Sequence, residues 1–173
     1  LLMLFAHGAY YTFFFNYLVE HAYDLGFFGW LWAIGVICEI GIFFIMPWLM
    51  RHFSLKLILI FSFACATLRF LMIGWGVEWP IIMVVAQILH AATYGAHHIA
   101  AMMVVHQFFR GRHQAKGQAI YTSIAYGIGG AIGAISSGYT WDLLGADMTF
   151  FVSSAASFIG LILVAWKMKS VSQ

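Results

Sequence analysis

The stretch "FSFACATLRFLMIGWG", residues 61–76, sets one guanidinium, Arg69, inside an apolar run. Arginine keeps its proton in proteins. A permanent positive charge with five N–H donors therefore lies where water should be scarce. One acid lies at comparable depth in a neighbouring run: "VICEIGIFF" carries Glu39. A short loop joins the two runs, so they are expected to be neighbours and Glu39 to pair with Arg69. Such a pair could exchange its internal contact for a charged solute. "QILHAATYGAHHIAAMMVVH" adds Gln87, His90, Tyr94, His97 and Ala101 at three- and four-residue intervals, which lines one helix face. Imidazole titrates near neutral pH, so His90, and less centrally His97, could move a proton. His98 points about 100° away from His97 and is assigned to packing. "FAHGAYYTFFFNYLVEH" puts His7, Tyr10, Phe14, Tyr17 and His21 on one face, with Tyr11 beside Tyr10. That face could bind an aromatic or sugar ring.

The elements that must hold these groups are set by composition. The 173 residues are 64% hydrophobic and 8% charged, against about 25% charged in soluble domains. A helix needs about 20 residues to cross the hydrocarbon of a bilayer. Six apolar segments meet that length, at 2–20, 27–50, 55–76, 80–108, 115–141 and 148–167. The sequence therefore predicts an all-α membrane protein with no extramembrane domain and no cleavable leader. Pro80 fits a first helical turn, and Pro47 falls near the end of the second segment.

Charges support six spans. Arg51, Lys56, Arg110, Arg112, Lys116, Lys167 and Lys169 fall on one side, and Asp24, Glu78, Asp142 and Asp147 on the other. Basic loops stay in the cytoplasm, so both ends of the chain are expected there. In "YGIGGAIGAISSG", Gly129 and Gly133 stand four apart, as do Ala134 and Gly138. Small residues at that interval let helices approach closely, which makes this fifth segment a packing or rocking surface. Cys38 and Cys65 have no metal-ligand spacing and read as packing residues. No metal, cofactor or nucleic-acid partner is expected.

"AHGAYY", the mid-membrane Glu39, "LRF", "QILHAATYGAHH" and the glycine-rich fifth segment followed by "YTWDLLGADMTFF" resemble, as an ordered set, the second half of a major facilitator superfamily transporter. Within that superfamily, the set is similar to the phenylpropionate permease branch, related to the lactose permease and nucleoside–proton symporters. The resemblance implies a twelve-helix fold of which this chain is the C-terminal six, with the solute site between halves at mid-membrane. It also implies that Glu39, Arg69 and His90 stand where related permeases keep an acid, an arginine and a histidine for binding and proton coupling. Those relatives carry a glutamate three residues after the histidine, where this sequence has Thr93.

The expectation is thus a secondary transporter in a bacterial inner membrane, not an enzyme. It would carry a small organic solute such as an aryl carboxylate in symport with protons, by alternating access, in partnership with the lipid bilayer and a missing N-terminal half. A sugar or nucleoside solute is the alternative. A haem-binding electron carrier is a different class, with His90 or His97 and His7 as axial ligands. An intramembrane protease fits poorly, because no histidine follows Ser136 and Ser137.

Overall fold

The structure is a computed structural model that describes residues 1–168. Lys169, placed above among the basic residues, lies outside the described residues. Six helices follow one another: α1 (Leu2–Glu20), α2 (Leu25–His52), α3 (Leu55–Gly76), α4 (Pro80–Phe108), α5 (Gly111–Leu144) and α6 (Ala146–Lys167). No strand occurs among the described residues. Helices α2 to α6 are long and apolar enough to cross a membrane. The 19 residues of α1 fall outside that group; histidine, asparagine and three tyrosines dilute its apolar run.

Local chemistry sets the boundaries. Asp24 caps α2, its Oδ1 accepting from the Phe27 amide at 2.7 Å, and Ser54 caps α3 by accepting from the Leu57 amide. Pro80 occupies the first turn of α4, where its missing N–H leaves no bond unmade. Gly145 ends α5 with φ at 91°, a backbone state that suits glycine. Pro47 lies inside α2, which continues to His52.

Two helices are interrupted. Residues Ala91–Ala96 of α4 and Ser123–Gly129 of α5 form π-helical turns. A π turn closes over one more residue than an α turn, so the helix beyond it is rotated by about one residue, or roughly 100°.

α3 is the centre of the bundle. It packs chiefly on α6 and also on α4. α1 packs on α5 and α6, and α2 packs on α4. α1 and α5 meet backbone to backbone: a Cβ on Gly8 would overlap the Gly133 backbone, and one on Gly133 would overlap that of Phe5. Gly129 lies as closely against Leu1. Gly138 is not part of this approach. A Cβ there would meet only the edge of the Phe13 ring at 3.9 Å, because the two helices have diverged beyond Gly133.

The ends of the bundle differ in charge. Tyr17 donates to Asp147 and approaches the Gly74 carbonyl, joining α1, α6 and α3 at the acidic end. Tyr23, in the α1–α2 loop, donates to the Val77 carbonyl at 2.7 Å. Burial, aided by Glu78, pushes its phenol above the ordinary range, so it remains a donor. At the opposite end Met46, Leu55, Ile58, Leu59, Ala96 and Ala100 form a small second core beneath the basic loops.

Candidate functional site

Arg69 is wholly buried, with 0% of its surface exposed. α3 directs it at α1 and α4. Its Nε donates to the Ala86 carbonyl at 2.9 Å, and its Nη1 lies 3.3 Å from His7 Nε2. The guanidinium carbon sits 4.2 Å from the centre of the Tyr10 ring and 5.3 Å from that of Phe70. A ring face attracts a cation, and the attraction strengthens without water. Arg69 Nη2 has no hydrogen-bond partner.

Arg69 is therefore lodged among neutral groups, and the expected ion pair with Glu39 is not formed. The physical reason lies in helix order. α2 and α3 adjoin in sequence, but α2 packs mainly on α4, and α4 supplies Arg69's carbonyl acceptor. Glu39 is half-buried one turn along α2 from Gly35, with its stem against Gly95 of α4. Gly35 itself lies over Gln87 and His90; a Cβ there would come within 3.5 Å of Gln87 Oε1.

His7 is fully buried and its tautomer is readable from its partners. Nδ1 lies 2.8 Å from the Met3 carbonyl, which can only accept, so Nδ1 carries the hydrogen. Nε2 then holds a lone pair, which Arg69 Nη1 approaches at 3.3 Å and Thr93 Oγ1 at 3.4 Å. Thr93 also donates to the His90 carbonyl at 3.2 Å. Thr93 is thus buried inside this network.

On α4, Gln87 accepts from the Tyr10 hydroxyl at 2.8 Å through Oε1, while its Nε2 is buried and unpartnered. His90 stacks on Tyr94 with ring centres 5.4 Å apart and 14° between planes, and its Nδ1 is also buried without a partner. Arg69 Nη2, Gln87 Nε2 and His90 Nδ1 are three unanswered polar atoms around one tyrosine, in a protein interior where such groups are normally satisfied. Tyr10 stacks on Trp32 of α2 at 5.6 Å with planes 2° apart, and Tyr11 meets Trp32 edge-on at 6.3 Å. Tyr11 and Trp32 are partly exposed, so the aromatic wall opens outward from the buried charge.

His97 does not join this site. It is buried with its ring edge-on to Phe63, 5.4 Å away. His98 takes the place a regular helix would give it, with Nδ1 2.7 Å from the Tyr126 hydroxyl and Tyr94 near the same ring. The π turn at Ala91–Ala96 accounts for the exchange: one extra residue carries His98 onto the face projected from Tyr94. Trp32, Phe70, Tyr126 and the Ala86 carbonyl are site neighbours that periodicity did not single out. The helical repeat of Phe28, Trp32, Gly35 and Glu39 on α2 was the signal for Trp32.

An axial haem ligand needs a free ring nitrogen; His7, common to both expected pairs, has Nδ1 on the Met3 carbonyl and Nε2 facing Arg69 Nη1. No group of three metal-binding side chains occurs among the described residues.

Comparison with known proteins gives a consistent picture. The family described as "MFS_1 like family" matches residues 1–152. The chain is 33% identical over 151 residues to a probable 3-phenylpropionic acid transporter of Escherichia coli (strain K12), covering 87% of this chain and 39% of that protein. It is 22% identical over 120 residues to the xanthosine permease of the same organism, covering 68% of this chain and 29% of that protein. The chain thus spans about two fifths or less of the curated relatives it matches. No solved structure matches it.

Proposed function

We propose, from the premise that this chain belongs to the MFS_1 like family within the major facilitator superfamily, that it is the C-terminal half of a bacterial inner-membrane transporter that imports a small aryl carboxylate with a proton. The observation that carries the carboxylate is a pair of buried donors with nothing to donate to: Arg69 Nη2 and Gln87 Nε2, both beside Tyr10. A carboxylate offers two acceptor oxygens and the negative charge that Arg69 lacks. The partly exposed rings of Tyr11 and Trp32 supply a surface on which an aromatic body could stack. The 3-phenylpropionic acid named for one relative combines those two features.

Glu39, His90 and Tyr94 border the same space, and the glycine contact of α5 with α1 is the surface that would slide between inward- and outward-facing states. A nucleoside is the second reading, favoured by the likeness to the xanthosine permease. It would stack on the same rings and leave Arg69 without an anion.

The test is uptake of radiolabelled 3-phenylpropionate by cells producing the complete transporter, with competition by unlabelled aryl carboxylates, 3-phenylpropanol, 3-phenylpropionamide and xanthosine. Accumulation that follows an imposed pH gradient, with competition from carboxylates but not from the alcohol or amide, supports the proposal. Competition by xanthosine in preference to the acids overturns it.

A further inference from the structure

We propose that His7 is the group that carries the proton accompanying the solute, an inference that rests on the carboxylate site described above. His7 is the histidine whose free nitrogen faces the buried cation. In the empty site Nδ1–H is committed to the Met3 carbonyl, and Nε2 accepts from Arg69 Nη1. A proton arriving at Nε2 forms a new N–H bond and turns that acceptor into a donor. Arg69 Nη1 can only donate, so its bond to His7 is lost. Thr93 Oγ1, 3.4 Å from Nε2, remains as an oxygen able to accept from the new N–H.

The release of Nη1 has a geometric consequence. Arg69 already has one unpartnered nitrogen, Nη2. Freeing Nη1 gives the guanidinium two adjacent donors, the fork that holds a carboxylate through both oxygens. Each event therefore favours the other. Protonated His7 opens the fork, and a carboxylate on the fork removes the repulsion between two neighbouring cations. By linkage the effect is reciprocal: the solute must raise proton affinity as much as the proton raises solute affinity. No electrons move. The proton comes from water on the entry side and returns to water when the carboxylate leaves on the other.

The groups facing His7 leave no rival acceptor in contact with it. From α1 come Tyr10 and Tyr11, with ring centres at 6.4 and 6.0 Å. From α3 come Arg69 and Phe70, the latter at 5.2 Å. From α4 come Thr93, His90 at 5.7 Å and Tyr94 at 5.9 Å, and His97 lies near enough for its charge to act on His7. Glu39 of α2 packs on Gly95 instead, and Asp147 of α6 is engaged by Tyr17. α5 approaches this part of α1 through Gly129 and Gly133, which have nothing to titrate. His90 lacks the carbonyl anchor and the cation contact that give His7 its defined tautomer.

The experiment uses the complete transporter in lipid nanodiscs, with 3-phenylpropionate as the probe. Its affinity for wild type should tighten by about tenfold per pH unit as pH falls through the coupled range. In His7→Gln the amide can still accept from Arg69 but cannot take a proton, so whatever affinity remains should be independent of pH, and vesicles should show no uphill uptake under a pH gradient. A second measurement does not depend on that variant folding. In wild type labelled with 15N-histidine, saturating 3-phenylpropionate should convert one Nδ1–H imidazole signal to imidazolium. A His7→Gln protein that keeps wild-type pH dependence, or a ligand-saturated wild type with no new imidazolium signal, overturns the role of His7 and leaves the carboxylate site standing. Wild type that does not bind 3-phenylpropionate at all overturns the carboxylate site, and the role of His7 with it.

Discussion

Two clusters of histidine and tyrosine meet α4, one before its π turn and one within and beyond it, and they differ in how well their polar atoms are matched. The upstream cluster joins His7, Tyr10, Arg69, Gln87 and His90. It contains a fixed charge and three buried polar atoms without partners. The downstream cluster joins Tyr94, His98, Tyr121 and Tyr126. There His98 and Tyr126 satisfy each other at 2.7 Å, the Tyr121 hydroxyl alone is buried and unpartnered, and no cation is present. Residue types alone would rate the two alike. Satisfaction separates them. A matched pair holds two helices together, whereas unanswered donors cost stability unless something else completes them.

Three substitutions test that contrast. The largest effect should come from Arg69→Gln. With no acid bound to Arg69, its removal orphans no carboxylate, so the thermal midpoint should stay within about 5 °C of wild type. Uptake of labelled 3-phenylpropionate should nevertheless fall by about 100-fold, the consequence of losing charged hydrogen bonds worth roughly 3 kcal/mol. A collapse in stability, measured by thermal unfolding in detergent, would restore the ion-pair view of Arg69. Gln87→Leu should be intermediate. It removes one unpartnered donor and the acceptor of Tyr10, and equilibrium binding should weaken about tenfold. An unchanged affinity would take Gln87 out of the site. Tyr126→Phe should be the mildest for transport: solute affinity within about twofold of wild type, with stability reduced by about 1 kcal/mol through the lost bond to His98. If Tyr126→Phe instead weakens binding as much as Gln87→Leu, the two clusters are one functional unit.

Much of this architecture was legible from residue order, and particular residues show where legibility stops. The apolar runs fixed the helices because bilayer thickness sets their length. The helical repeat put Tyr10 with His7, and Gln87 with His90, because α1 and the first part of α4 are regular there. It failed at His97 and His98, since no pattern of side chains announces a π turn and the face beyond one is displaced by a residue. The pairing of Arg69 failed for a different reason. A short α2–α3 loop makes neighbours in sequence, but α4 is the helix that carries Arg69's acceptor. Trp32 was missed because an indole in an apolar segment looks like any lipid-facing aromatic until its stacking on Tyr10 is seen.

In the proposed transport cycle, a buried guanidinium with no acid attached feels the membrane potential in every state. Each elementary charge crossing the full field changes the energy by about 2.3 kcal/mol per 100 mV. One carboxylate arriving with one proton adds no net charge, so Arg69's environment would carry the same charge through the field loaded as empty. The voltage would then speed one crossing as much as it slows the other and do no work over a full cycle. The proton gradient alone would power accumulation, and clamping the membrane at zero millivolts should leave the steady-state solute ratio where it was.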